Sequence, residues 1–273
     1  MNDAVSIEES RPSAAIRHVE LDRPWRWLAA GWRDLAATPG TALTFGIVFA
    51  LAGYLITAGL FAAGLFYLVL PMTAGFLIMG PFAATGFYEI SRQRQQGRRA
   101  ALREVFGAWQ RNPLQIALIG AALLLILIFW ARIAALIFML YYGIGNVPSV
   151  DKLLVETFFQ PSSIPFLIFG TAVGGVLAAA TFAISAVSIP MLVDRPESNV
   201  MEAIATSVRA VLANPKPMTL WGLLIVVFTA AGLATLYLGL IVVLPLIGHA
   251  TWHAYRDLVQ YPEAASAAAA TAE

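Results

Sequence analysis

Hydrophobic positions in this chain run in long charge-free stretches, not in short alternating patterns. No Asp, Glu, Lys or Arg occurs from Leu35 to Tyr88, from Thr157 to Val193 or from Pro217 to Tyr255, and Asn112 to Val150 is interrupted only by Arg132. A hydrocarbon core about 30 Å thick takes about 20 apolar helical residues and excludes ionised side chains, so each stretch reads as one or two membrane helices. Leu35 to Tyr88 is too long for one span and predicts a helical hairpin, roughly Ala42–Ala62 and Leu65–Phe87. Pro217 to Tyr255 predicts two short helices turning near Tyr237–Gly239, or less comfortably one long tilted helix. The expected fold is an all-α, polytopic membrane bundle of about six transmembrane helices.

Each membrane section is preceded by an amphipathic stretch that ends in a small polar residue and proline. Trp25, Leu28, Trp32 and Leu35 share one helical face, with Arg26 and Arg33 off it; the later faces are Leu102, Val105, Phe106 and Trp109, then Met201, Ile204, Val208 and Val211. The stops are Thr38-Pro39, Asn112-Pro113 and Asn214-Pro215. Thr or Asn suits an N-cap and Pro the first helical position, so each pair can end one helix and start the next at an angle. Three interfacial helices on the cytoplasmic side follow, with Trp25, Arg26, Trp32, Arg33 and Trp109 at the lipid interface. The echo of Gly75–Pro81 before Arg92 in Gly239–Pro245 before Arg256 makes this a threefold repeat with units of about 23–92, 100–195 and 199–258. These form a single membrane domain, 23–259, between a flexible N-terminal segment, 1–22, and a disordered Ala-rich tail, 260–273.

Composition agrees: 59% of residues are hydrophobic and 12% charged, far from the soluble norm of about 25% charged. The absence of cysteine removes disulfides, thiol catalysis and cysteine-ligated metal. With the N-terminus inside, all 17 Lys and Arg residues except Lys152 and Arg132 fall in cytoplasmic segments, which the positive-inside rule favours. The chain is therefore expected in a bacterial cytoplasmic membrane with both termini cytoplasmic. Its arginine-rich loop, Arg92 to Arg111, points to anionic lipid headgroups as partners, not to nucleic acid.

Candidate chemistry is sparse. His249 and His253 stand four apart, the spacing of a paired metal or haem ligand, but also of a hydrogen-bonded interfacial pair; two histidines fall short of a closed site. His18 lies in the N-terminal segment and is given no role. Glu89 ends the second predicted helix three residues before Arg92, where a carboxylate can carry protons or simply pair with arginine. Counted from Pro113, Arg132 lies about 28 Å up a helix, near the outer surface, where it can snorkel; a helix starting at Gly120 would place it at mid-depth. Gly170, Gly174 and Ala178 form a small-xxx-small ridge for helix packing. Pro71, Pro81, Pro190 and Pro245 should kink or break helices, and the turn at Gly143-Ile-Gly-Asn lacks the lysine of a phosphate loop.

The motifs WRWLAAGWRDL, GFLIMGPFAATGFYEISR, FWARIAALIF, FAISAVSIPMLVDR, NPKPMTLWGLLIVV and PLIGHATWHAYRDLV, in order from Ile16 to Val259, resemble the bacterial integral membrane family called domain of unknown function 2189. Some members carry the label of a cytochrome c oxidase subunit. Three histidines are too few for the haem and copper ligands of the large oxidase subunit, and the resemblance implies no catalytic residues, metal or cofactor. The expectation is a non-enzymatic membrane scaffold or accessory subunit, with a membrane-protein partner or a second copy of itself. The rivals are a small transporter using Glu89, Arg132, His249 and His253 on a polar path, and, more weakly, haem or metal binding through His249 and His253.

Overall fold

The computed structural model describes residues 14–143 and 150–261. Within them the helices are α1 (Arg23–Ala37), α2 (Pro39–Ala62), α3 (Val69–Ala83), α4 (Thr85–Gln95), α5 (Leu102–Phe106), α6 (Pro113–Tyr142), α7 (Val150–Phe158), α8 (Ile164–Ser185), α9 (Ser188–Asp194), α10 (Val200–Ala213), α11 (Pro215–Ala234) and α12 (Leu240–Leu258). Two short strands, β1 (Ala15–Ile16) and β2 (Val259–Gln260), pair antiparallel, Ala15 opposite Gln260.

All three small-polar–Pro pairs fall at chain breaks, with α2, α6 and α11 beginning at Pro39, Pro113 and Pro215. Proline fits there because its missing N–H would be unpaired in the first turn anyway. The expected capping role is not what the polar residues do. Thr38 Oγ1 donates back to the Asp34 carbonyl, and Asn112 Nδ2 to the Ser198 carbonyl. Asn214 bonds across to the N-terminal segment, donating to the Arg17 carbonyl and accepting from Val19 N–H. The two asparagines thus stitch distant segments together, while Thr38 closes the last turn of α1.

Four stretches are long and apolar enough to cross a membrane: Pro39–Ala62, Pro113–Tyr142, Pro161–Asp194 and Pro215–Ala234. A fifth is broken, Phe66–Thr73 meeting Gly75–Gln95 at 50°, just past Pro71, whose ring removes a helical hydrogen bond. That gives four to five candidate spans instead of six. The sixth expected helix exists as α12 and turns back from α11 at Thr235–Gly239 as expected. It fails as an apolar span because His249, Thr251, Trp252, His253, Arg256 and Asp257 crowd its second half. Pro245 sits inside α12 without breaking it. The threefold repeat survives only as three interfacial-helix-to-proline junctions.

In the helices before these junctions the apolar faces read from sequence divide between core and surface. In α1 the inward set is Trp27, Leu28, Gly31, Asp34 and Leu35, whereas Trp25 and Trp32 are exposed beside Arg26 and Arg33. Trp109, Leu102 and Phe106 are exposed and Val105 is buried. Helix α10 turns Ala203, Thr206, Ser207 and Ala210 inward and leaves Met201 exposed. Small inward residues allow close approach, and α1 takes this furthest: a Cβ on Gly31 would lie 2.7 Å from Ala250 N and 2.8 Å from the Leu246 carbonyl oxygen of α12. The core beneath is aromatic, with Trp27 edge-on to Trp221 and Trp252 to Tyr255.

From Ala14 onward the supposedly flexible N-terminal segment is tied down. β1 pairs with β2, Arg17 N–H donates to the Leu258 carbonyl, and His18 Nδ1 lies 3.1 Å from the Ala213 carbonyl oxygen. The Ala-rich tail beyond Tyr261, residues 1–13 and most of the Gly143-Ile-Gly-Asn turn lie outside the described residues.

Candidate functional site

Helix α4 is the polar hub: every residue from Thr85 to Gln93 is buried, although the segment carries Glu89, Ser91, Arg92 and Gln93. Ionised groups survive burial only when paired and hydrogen-bonded. The helix sends Ser91 and Arg94 one way, and Glu89, Arg92 and Gln93 another.

On the first side, Asp34 of α1 is the acceptor for three helices. Its Oδ2 accepts from Ser91 Oγ at 2.6 Å and from His253 Nε2 at 2.9 Å, and its Oδ1 from Arg94 at 2.6 Å. Arg94 also donates to the Arg33 carbonyl. Ser91 Oγ lies 2.8 Å from His249 Nδ1; because the single hydroxyl proton goes to Asp34, the network assigns the other proton to His249 Nδ1. The His249 ring is fully buried, edge-on to Phe87 at 5.6 Å. Burial pushes the Asp34 carboxyl up, but the hydrogen bonds from His253 and Ser91 and the charge of both histidines outweigh it, leaving its pKa below the ordinary value.

On the second side, Glu89 accepts a two-pronged bond from Arg92, at 2.8 and 2.7 Å, and another from Gln93 at 2.7 Å. Arg111 approaches the same carboxylate at 3.8 Å while donating to the Val193 carbonyl. Asp194 at the end of α9 accepts from Tyr255 and Arg256 of α12. Asp257 accepts from Trp27 Nε1 and pairs with Arg17 and Arg23. Asp34, Asp194 and Asp257 thus pin α1, α4, α9 and α12 to one another, while Glu89 holds Arg92 and Gln93 within α4.

The residues singled out by sequence therefore separate. His249 and His253 share one network; Glu89 belongs to another and does not join them. Arg132 is exposed on α6, well beyond the foot of a helix that begins at Pro113. His249 Nδ1 is taken by Ser91 and His253 Nε2 by Asp34, His249 Nε2 is buried without a partner, and among the described residues no group of three or more histidines and carboxylates is placed to hold a metal. Ser91, His249 and Asp34 have the composition of a hydrolytic triad but not its order, since Ser91 sits between the other two and is fully buried. Of the small-residue ridge, Gly174 packs against Trp130 of α6, where a Cβ would come within 2.9 Å of the ring, while a Cβ on Gly170 would meet nothing within 4 Å. Sequence reasoning missed Asp34 and Trp27. The signal was present: residues 27, 28, 31, 34 and 35 repeat at helical spacing.

Residues 69–194 match the family model described as Predicted integral membrane protein (DUF2189). No curated protein and no solved structure matches the chain. The DUF2189 match runs from α3 to α9. It includes α4 with Glu89 and Ser91 but neither Asp34 nor the two histidines, so it is narrower than the resemblance read from Ile16 to Val259. The chain is an integral membrane protein with several helices, among the described residues, long and apolar enough to cross a membrane.

Proposed function

We propose that the protein is a non-enzymatic membrane scaffold or accessory subunit of a bacterial cytoplasmic membrane, with both termini cytoplasmic. The observation carrying this reading is that the buried carboxylates at the foot of the bundle are each satisfied by protein donors. Asp34, Glu89, Asp194 and Asp257 each accept from two or more donors on other segments or turns, and such closed clamps favour rigidity over a polar path. A permease needs polar side chains converging on a cavity; Arg132 and Glu89 stand apart from the histidines, which argues against it.

The outward side of the same face suits a lipid and partner surface. Trp25 and Trp32 are 54% and 55% exposed beside Arg26 and Arg33, and Trp109 is 45% exposed. Tryptophan and arginine together favour a headgroup layer that contains anionic lipid.

Affinity purification from native membranes tests this directly. The expected result is a reproducible stoichiometric partner or a second copy; a clean monomer showing substrate-dependent flux in liposomes would reject the scaffold. Sidedness is read by reporter fusion: a periplasm-only reporter fused after Arg256 should be silent, and activity there would reverse the topology.

A further inference from the structure

At the end of the bundle opposite the arginine-rich face, a cavity of about 510 Å³ opens between α3, α6, α7 and α8, walled by Tyr67, Pro71, Trp130, Phe138 and Phe166 and floored by Gly170. This is the size of a small-molecule site. The glycines are what keep it open: a Cβ on Gly170 or Gly175 would meet nothing within 4 Å. Trp130 Nε1 donates to the Pro71 carbonyl, fixing one wall beside the bend in the broken span.

A second hollow of about 220 Å³ continues from it across the shared Phe166 ring, lined by Tyr141, Tyr142, Glu156, Gln160, Ser162 and Ser163. The Tyr142–Thr157 hydrogen bond stands at the junction, Thr157 lining the first cavity and Tyr142 the second. Ser163 is occupied by the Thr157 and Gln160 carbonyls. Tyr141, Gln160 and Ser162 offer donors, and Glu156 is the one carboxylate among the lining residues, none of which is basic; Lys152 stands one turn earlier on α7 and, among the described residues, forms no ion pair with it.

We propose that this composite cavity is a binding site for one phospholipid whose headgroup ends in a primary ammonium. An acyl chain fills the apolar chamber along Gly170 and Gly175. The phosphate oxygens accept from Tyr141, Gln160 and Ser162, and the ammonium pairs with Glu156. A headgroup ending in neutral glycerol would leave Glu156 unpaired beside the phosphate charge. The site is independent of the scaffold reading: it needs only the membrane embedding.

The full-length protein, held in mixed micelles with equal amounts of ethanolamine- and glycerol-headgroup phospholipid of identical chains, is examined by native mass spectrometry. The wild type should retain one ethanolamine lipid with a preference of about fivefold, the scale of a half-exposed ion pair. Gly170→Leu fills the chamber and should abolish retention of both lipids, with unchanged elution volume and helicity; Gly175→Leu is the second filling variant. Glu156→Gln should keep retention but erase the preference. Undiminished retention in folded Gly170→Leu and Gly175→Leu overturns the site. Absence of a headgroup preference in the wild type, or its persistence in Glu156→Gln, overturns the assignment, and the glutamine variant lies outside the helix packing and stays readable if the leucine variants misfold.

Discussion

Replacing Asp34 with alanine should be among the most damaging single changes in the protein, because it removes the acceptor shared by α1, α4 and α12. Three donors lose their partner: Ser91, His253 and Arg94. A hydrogen bond to a charged group contributes about 1.5–3 kcal/mol, but the three share one carboxylate and do not add. Arg94 is 37% exposed and recovers water, so its share is discounted. Breaking one partner out of a buried pair costs about 3–5 kcal/mol, and the discount puts Asp34→Ala at about 3 kcal/mol. Unfolding in mixed micelles of rising SDS fraction measures it. Ser91→Ala should cost about 1–2 kcal/mol, and the double variant should fall short of the sum by about 1 kcal/mol, since Ser91 acts through Asp34. A loss below about 1 kcal/mol for Asp34→Ala, or strict additivity, would refute the clamp. The pH dependence follows from the sign of the shift. Asp34 has a folded pKa below the ordinary carboxyl value of 3.8, so its stabilisation is fully present above that value and disappears as pH falls through the lower folded one. The Asp34 contribution should therefore be flat from neutral pH to about pH 5 and shrink only below about pH 4.

Other substitutions test separate parts of the architecture. Gly31→Val sets a side chain against the backbone of Ala250 and Leu246, and should cost about 1–3 kcal/mol in the same SDS assay, as overpacking does. Glu89→Gln leaves Arg92, whose side chain is 7% exposed, without its ionic partner; a loss of about 2–4 kcal/mol is expected, and a neutral result would mean that Asp194 and water hold Arg92 instead. Leu236 has φ of 52° and is 77% exposed, so Leu236→Gly should stabilise by about 1 kcal/mol by relieving the left-handed strain. Trp25, Trp32 and Trp109 should account for most of the emission quenched by lipids brominated near the headgroup, and changing all three to Phe should remove that quenching with little loss of stability.

The chain read alone discloses its membrane character, the positions where helices break and the reversal between α11 and α12, because those depend on local facts: charge exclusion, proline and length. It does not disclose what Asn112 and Asn214 do. Their partners, Ser198, Arg17 and Val19, lie tens to hundreds of residues away, so a local capping rule chose the boundary correctly and the role wrongly. Trp25 and Trp32 alone leave the orientation of α1 open. On a helix at a lipid interface both faces accept tryptophan, one against protein and one against headgroups, so hydrophobicity cannot orient the helix. Gly31 and Asp34 decide the matter, since the face that approaches another backbone needs glycine and the face that meets buried donors needs a carboxylate. The small-xxx-small ridge of α8 serves two ends, since Gly174 packs on Trp130 of α6 while Gly170 borders the cavity.

Helix α12 shows why the span count and the site were the same problem. A hydropathy average treats His249, His253, Arg256 and Asp257 as penalties against insertion, and on composition the helix does not qualify. Its polar half never faces lipid: His249, Trp252, Tyr255 and Leu258 are essentially fully buried, enclosed by α1, α4 and α9, which supply Asp34, Ser91 and Asp194. An element this polar can enter the membrane only together with the partners that satisfy it, so insertion of α12 should depend on α1 and α4 already being in place. Asp34→Ala would then lower not only stability but the fraction of newly made chain whose C-terminus reaches its final side. A protease-protection assay on a C-terminal tag reads that fraction, and unchanged protection would show that α12 inserts on its apolar half alone.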